Sequence, residues 1–392
     1  MDNSSPIFLV DPILYDINSL IISSLILFIF SFFFGKLVFK SVPISLSVAF
    51  IKTGFYLIFF LFFFNKNNFA FPDAITYAED VKFLFENYTL IELILNAEQT
   101  VILFSQGHPF YYYWSYFSFL VFGSYIHSPI VLNILSTFLG SYYIYKISSK
   151  YFYISNKNSI LLSVVYCLHW EVLPWSSFFN LRDILIQVNI LALIYYLLKI
   201  FNRLRLNLII KLAITLFILK YLRGHLVYIF FLTVFLITFL NFKKYNLKIY
   251  LIIFFSMSSV SLYNLKYFYL LFQNWYERFN FNYGIEIIRL LLSPLPNIQT
   301  VYNGHGFLVI GSIINIITLP FLLLGIIYSF KNNLRNAFIL FFFFFSILFV
   351  IGSYDNVQGP RQRLMISTII LLYTFLGFIS VKSKNKIKYF QR

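Results

Sequence analysis

The chain has 392 residues, of which 60% are hydrophobic, 22% aromatic and 11% charged, far from the roughly 25% charged residues of a soluble domain. That excludes a soluble globular class and indicates an integral membrane protein. The formal net charge of +16 does not imply a nucleic-acid partner, because Lys and Arg fall between apolar runs and form no basic domain.

Taken from the N-terminus, apolar runs lie at 17–39, 43–64, 110–126, 129–146, 159–174, 182–200, 206–219, 225–241, 249–264, 306–328, 337–352 and 364–381. A helix needs about 20 apolar residues to span the hydrocarbon layer. The alternating strands of a membrane barrel are missing. The expected fold is therefore all-α: one polytopic helical membrane domain over 1–392 with about 11 or 12 spans. The first run is too long for a signal-peptide core and has no basic flank before it, so no cleaved segment is expected. The single cysteine, Cys167, falls within an apolar run and cannot form an intramolecular disulfide.

Basic residues mark the cytoplasmic side under the positive-inside rule: Lys36 and Lys40, Lys146 to Lys157, Lys199 to Arg205, Lys243 to Lys248, Lys331 with Arg335, and the tail from Lys382. The N-terminus, with Asp2, Asp11 and Asp16, falls outside. Alternate counting closes only if 110–146 crosses once, with one of its two runs re-entrant or interfacial. Three outward segments result. The first large periplasmic loop, 65–109, has spaced apolar residues over 77–95 that fit one or two short interfacial helices. The second loop, 265–306, carries an expected helix at 285–292 ended by a Ser-Pro-Leu-Pro stretch. The third is a short turn at 353–362.

Chemistry-bearing residues gather in these outward segments. Asp73 follows a proline, with Tyr77 four residues on and Glu79-Asp80 behind it. A carboxylate there suits a general base acting on an acceptor hydroxyl, or equally an acid complementing a helix N-terminus. Arg182 beside Asp183, Arg223 beside His225, Arg278, Arg289, Arg361 and Arg363 lie where the positive-inside rule disfavours cations. Guanidinium groups bind phosphate oxygens bidentately, so a lipid phosphate or pyrophosphate would explain them; salt bridges to nearby acids or lipid headgroups are the plainer explanation. His108 precedes Pro109 and the aromatic run Phe110 to Trp114, which fits an interfacial belt or a sugar-stacking surface. His169, Glu171 and His305 complete the outward titratable groups; His169 and Glu171, two apart, do not share a helix face. No phosphate-binding loop, dinucleotide fingerprint or zinc spacing occurs. No cofactor is called for, although a divalent metal such as Mg²⁺ would be compatible.

Together, Asp73-Ala-Ile-Thr-Tyr77, the run from His108 to Trp114, the stretch Ser176 to Asp183 and Gly359-Pro-Arg361-Gln-Arg363 resemble the GT-C membrane glycosyltransferases. The resemblance implies a lipid-linked sugar donor, a site at the outer membrane face, and Asp73 as general base. Protein-mannosyltransferase and aminoarabinose-transferase relatives carry an adjacent acid pair soon after the first span; here a second apolar run comes first, Asp73 is followed by Ala74, and Glu79-Asp80 is too distant to be that pair. Bacterial O-antigen and exopolysaccharide repeat-unit polymerases look closer in character.

The resemblance further implies an inner-membrane enzyme of surface-polysaccharide synthesis with its active face periplasmic. It would join repeat units linked to undecaprenyl pyrophosphate. Arg182, Arg223, Arg361 and Arg363 would hold the leaving group, and Tyr77 and His108 would position sugar or acid. The implied partners are polyprenyl-linked sugars, membrane lipids, and a chain-length regulator or other assembly proteins; nucleic acid is not among them. The alternatives are a GT-C transferase using a polyprenyl-monophosphate sugar, and a polysaccharide flippase, whose polar sites would sit at the midplane.

Overall fold

A computed structural model describes residues 16–64, 72–96, 108–240, 283–292, 306–352 and 360–390. Among these the chain is helical throughout and has no strand. It divides into two compact units, Met1–Tyr195 with Ile298–Phe307 and Tyr196–Asn297 with Leu308–Arg392.

The first unit opens on an antiparallel hairpin of α1 (Ile17–Phe39) and α2 (Val42–Ile58). Asp16 caps α1 by accepting from the Ser19 amide at 2.8 Å, and Lys40 ends it in the left-handed conformation. Gly35 lets the helices close up, since a Cβ there would lie 3.2 Å from Ser45 Cβ. The last turn of α2 widens into a π-helix, Phe59–Phe63, a form that occurs mostly as short bulges and often at functional sites. Two short helices come next, α3 (Pro72–Asn87) and α4 (Leu90–Leu95), in the stretch expected to hold one or two. A capping box between Thr89 and Glu92 starts α4; both hydrogen bonds from Thr89 favour the ionised Glu92 carboxylate and lower its pKa.

Beyond them lie α5 (Pro109–Phe122) and α6 (Ser128–Tyr151), separated at Gly123, whose φ of 89° suits glycine. Helix α5 has 14 residues, about 21 Å at 1.5 Å per residue, short of the roughly 30 Å hydrocarbon layer. Helix α6, with 24 residues, is the one helix of this region long and apolar enough to cross a membrane. The run at 159–174, expected as one span, is broken: α7 (Asn156–Leu168) stops after 13 residues. The polar sequence His169-Trp170-Glu171 turns the chain, and α8 (Leu173–Ser177) restarts it. Pro174 sits in the first turn of α8, where its missing N–H leaves no gap in the ladder. The long α9 (Asp183–Asn202) comes after it. Hydroxyls join α6 to α7, Ser141 Oγ donating to the Ser163 carbonyl at 3.0 Å and Ser163 Oγ to that of Ser141 at 3.2 Å.

The second unit contains α10 (Leu206–Arg223), α11 (His225–Leu240), α12 (Tyr283–Leu292), α13 (Gly306–Asn332), α14 (Leu334–Gly352) and α15 (Pro360–Phe390). Helix α12 covers the helix expected in the second loop. Helices α13 and α15 meet at glycines: Gly325 lies on the Tyr373 carbonyl and Gly377 on the Phe321 carbonyl, where a Cβ would overlap backbone. Phe321 stacks on Phe378 beside this crossing, centroids 3.9 Å apart.

Seven helices among the described residues are long and apolar enough to cross a membrane: α1, α2 with its π-turn, α6, α9, α13, α14 and α15. Large apolar side chains stand exposed on them, such as Ile22, Leu25 and Phe50 in the first unit and Ile317 and Leu323 in the second. The chain is an all-α, multi-pass membrane protein. Helix α10, at the run 206–219, carries Lys211, Lys220 and Arg223, and α11 has 16 residues; the run at 249–264 lies outside the described residues.

Candidate functional site

In the first unit, polar side chains converge where α3, α5, α6 and the segment before α9 meet. Asn133, in the second turn of the apolar helix α6, is fully buried and uses its whole amide. Its Nδ2 donates to the Leu181 carbonyl at 3.0 Å and to Tyr111 Oη at 3.3 Å, and its Oδ1 accepts from Trp114 Nε1 at 3.1 Å. Tyr111 Oη in turn donates to Asn180 Oδ1 at 2.7 Å, and Asn180 Nδ2 donates to the Ala74 carbonyl at 3.3 Å. Buried polar groups of this kind are stable only when satisfied. The network fixes the first turn of α3 against the chain at 180–181.

The four tyrosines of α5 are hydrogen-bonding arms onto that surround. Besides Tyr111, Tyr112 Oη donates to Asp80 Oδ2 at 2.6 Å, Tyr113 Oη to the Leu93 carbonyl at 3.2 Å, and Tyr116 Oη to the Tyr88 carbonyl at 2.7 Å. The last two satisfy carbonyls at and beyond the C-terminal ends of α4 and α3. Burial pushes the Tyr111 phenol far above its ordinary range, and the Asp183 carboxylate adds to the effect. Burial does the same to Tyr112, with the hydrogen bond to Asp80 next in size. Both phenols therefore stay protonated and act as donors.

The expected site residues fall into two groups, one in each unit. In the first unit, Asp73 is exposed on the first turn of α3. Tyr77, one turn on, is 8% exposed and packs edge-on to Tyr111 and Tyr112, with centroids 5.0 and 5.4 Å away. His108 precedes α5, and its carbonyl accepts from the Tyr111 amide at 3.1 Å. Its ring is partly buried, with Nδ1 enclosed and making no hydrogen bond among the described residues. Arg182 and Asp183, at the start of α9, are both buried, and the Arg182 carbonyl accepts from the Ile186 amide at 3.1 Å. Asp73 and Arg182 are thus carried by segments that the Asn180 hydrogen bonds join.

In the second unit, Arg223 ends α10 and places Nη1 3.7 Å from Met365 Sδ, two residues past Arg363. Arg361 lies partly buried in the first turn of α15. Arg363, 1% exposed, donates to the Leu291 carbonyl and to Ser312 Oγ, each at 3.2 Å. It therefore ties the C-terminal end of α12 to α13.

Of the other outward titratable groups, Glu171 is buried, and its amide donates to His169 Nδ1 at 3.3 Å; His305 and Arg278 lie outside the described residues. Among the described residues no three His, Cys, Asp or Glu side chains gather to hold a metal ion. Sequence reasoning gave Asn133 and Asn180 no role, although Asn133 lies inside an apolar run, where a polar side chain marks a buried contact in a membrane bundle. The tyrosines of α5 are also hydrogen-bond donors: all four direct their hydroxyls at side chains or carbonyls of neighbouring segments, at 2.6 to 3.2 Å. An aromatic cluster closes the adjoining flank, Phe59 of the π-turn stacking on Phe178 at 4.5 Å and Phe55 meeting Trp170 at 6.0 Å. No protein-family model, curated protein or solved structure matches the chain.

Proposed function

We propose that the chain is an inner-membrane glycosyltransferase of bacterial surface-polysaccharide synthesis, joining repeat units carried on polyprenyl pyrophosphate at the periplasmic face. The observation that supports this most is the hydrogen-bonded junction of α3 with residues 180–181, which holds an acidic helix beside a buried Arg182-Asp183 pair. Glycosyl transfer from a phosphate-linked donor needs a base near the acceptor hydroxyl and positive charge near the leaving phosphate. The acids of α3 supply the first, and Arg182 supplies the second. The leaving group is a good one, so positioning and charge stabilisation carry the reaction.

Arg363 is better read as a structural residue, given its bonds to Leu291 and Ser312. Phosphate binding by Arg223 and Arg361 rests on guanidinium chemistry, their expected outward side and the resemblance. A transferase using polyprenyl-monophosphate sugars would share these groups and differ in the donor it consumes. A flippase would need its polar groups at midplane, and the network of Asn133 and Asn180 lies instead at helix starts.

The test is the surface-glycan ladder on a gel, from cells lacking the chain and from the same cells complemented with it. A single repeat unit on its anchor in the first, restored to a ladder in the second, supports polymerisation. A full ladder with altered sugar composition would favour the single-sugar transferase, and an unchanged ladder would overturn both.

A further inference from the structure

Resting on the glycosyl-transfer reading, we infer that Asp80, held by Tyr112, takes the proton of the acceptor hydroxyl, in place of Asp73. Spacings of four and three residues put Asp73, Tyr77 and Asp80 on one face of α3, the face that Tyr77 packs against Tyr111 and Tyr112. The two acids on that face differ in how they are held. Asp73 is exposed in the first turn of the helix, where an acid ordinarily serves to complement the helix N-terminus. Asp80 lies mid-helix and half-buried, and its Oδ2 accepts from Tyr112 Oη at 2.6 Å.

Tyr112 is a rigid support. Its side chain is 2% exposed, its ring is fixed edge-on by Tyr77 at 5.4 Å, and its neighbour Tyr111 is anchored to Asn180 and Asn133. A phenol that stays protonated can only donate to the carboxylate, so it fixes Oδ2 and leaves Oδ1 aimed in one direction. No other hydrogen bond to Asp80 occurs among the described residues. A base held this way loses little freedom when the acceptor arrives, which is the preorganisation that catalysis requires.

The step balances. The acceptor O–H gives its proton to Asp80 Oδ1, and the oxygen's electron pair forms the bond to the donor's anomeric carbon. The bond from that carbon to the polyprenyl pyrophosphate breaks, and its electron pair leaves on the phosphate oxygen. The proton then passes from Asp80 to solvent.

The assay uses membranes containing the full chain, supplied with the lipid-linked saccharide extracted from cells that lack it, and measures released polyprenyl pyrophosphate. Asp80→Ala should lose turnover by about 100-fold or more, the usual share of a general base, and regain part of it in formate. Asp73→Ala should gain nothing from formate, and Tyr112→Phe should lower kcat by about 10-fold with KM unchanged, as loss of a positioned base does. Formate rescue shows that Asp80→Ala is folded, which a structural role for the carboxylate would not produce. Full turnover in Asp80→Ala, rescue of Asp73→Ala instead, or a loss that neither formate nor Asp80→Glu repairs would overturn the assignment while the glycosyl-transfer reading stands. Wild-type membranes that release nothing would overturn both.

Discussion

Asn180 donates its side-chain amide to the Ala74 carbonyl across 3.3 Å, so residues 106 positions apart in sequence hold the acidic helix α3 on the chain that leads into α9. Its Oδ1 meanwhile accepts from Tyr111 at 2.7 Å. Loss of this one side chain would leave the buried Tyr111 hydroxyl without its acceptor and remove the tie to Ala74. Leaving a buried donor or acceptor unpaired costs about 1–3 kcal/mol. Asn180→Ala should therefore lower the thermal midpoint of the detergent-solubilised protein and reduce glycan assembly more than the drop in protein level explains. Midpoint and membrane abundance, measured beside product, check both parts.

Gly377 sits directly on backbone. A Cβ there would run into the Phe321 carbonyl, which cannot swing away. Gly377→Ala should cost about 1–3 kcal/mol, the range for overpacking a filled interior, and Gly54→Ala, where a Cβ meets nothing within 4 Å, should cost nothing comparable. Thermal midpoints of the two variants decide it.

Lys52 lies in the middle of α2, fully buried, and its Nζ makes no hydrogen bond among the described residues. The ring of Phe138 lies 5.9 Å from it. An ionisable group inside a membrane bundle is costly, and an apolar side chain of similar length removes that cost. Lys52→Met should raise the thermal midpoint by several degrees; a lower midpoint would show that the amine holds a stabilising contact.

His127 supplies a pH dependence. It is buried against Tyr56, whose Oη lies 3.0 Å from Nδ1, and burial pushes its pKa down from 6.5 to about 4. Above pH 6.5 the imidazole is neutral both folded and unfolded, and the shift contributes nothing. As pH falls from 6.5 towards 4 the unfolded chain takes up the proton that the folded chain refuses, so stability is lost across that window, by up to about 3 kcal/mol. Thermal midpoints measured between pH 7 and pH 4 should fall in wild type and fall less in His127→Gln.

Much of the fold was legible because membrane helices are written in long apolar runs. The hairpin of α1 and α2, the one span-length helix that follows α5 and helix α12 all arise from run length, basic residues and proline position. Hydropathy does not encode where a run breaks: His169, Glu171 and Pro174 interrupt an apolar stretch whose average still reads as one span. The candidate site was half legible. Asp73, Tyr77 and Arg182 stand out as candidates because polar residues are conspicuous in an apolar chain. The partners that hold them were not legible, because Asn133, Asn180 and Tyr112 act through contacts 32 to 106 residues away in sequence. The bonds of Arg363 to Leu291 and Ser312 were not legible either, because they join positions 72 and 51 residues apart in sequence.

Consumption of a lipid-linked glycan underlies every functional role given to these residues, and mass spectrometry of the polyprenyl-linked saccharides in cells lacking the chain is its most immediate test. One complete repeat unit should accumulate on polyprenyl pyrophosphate and be cleared when the chain is restored. A lipid-linked pool identical with and without the chain would contradict the glycosyltransferase reading.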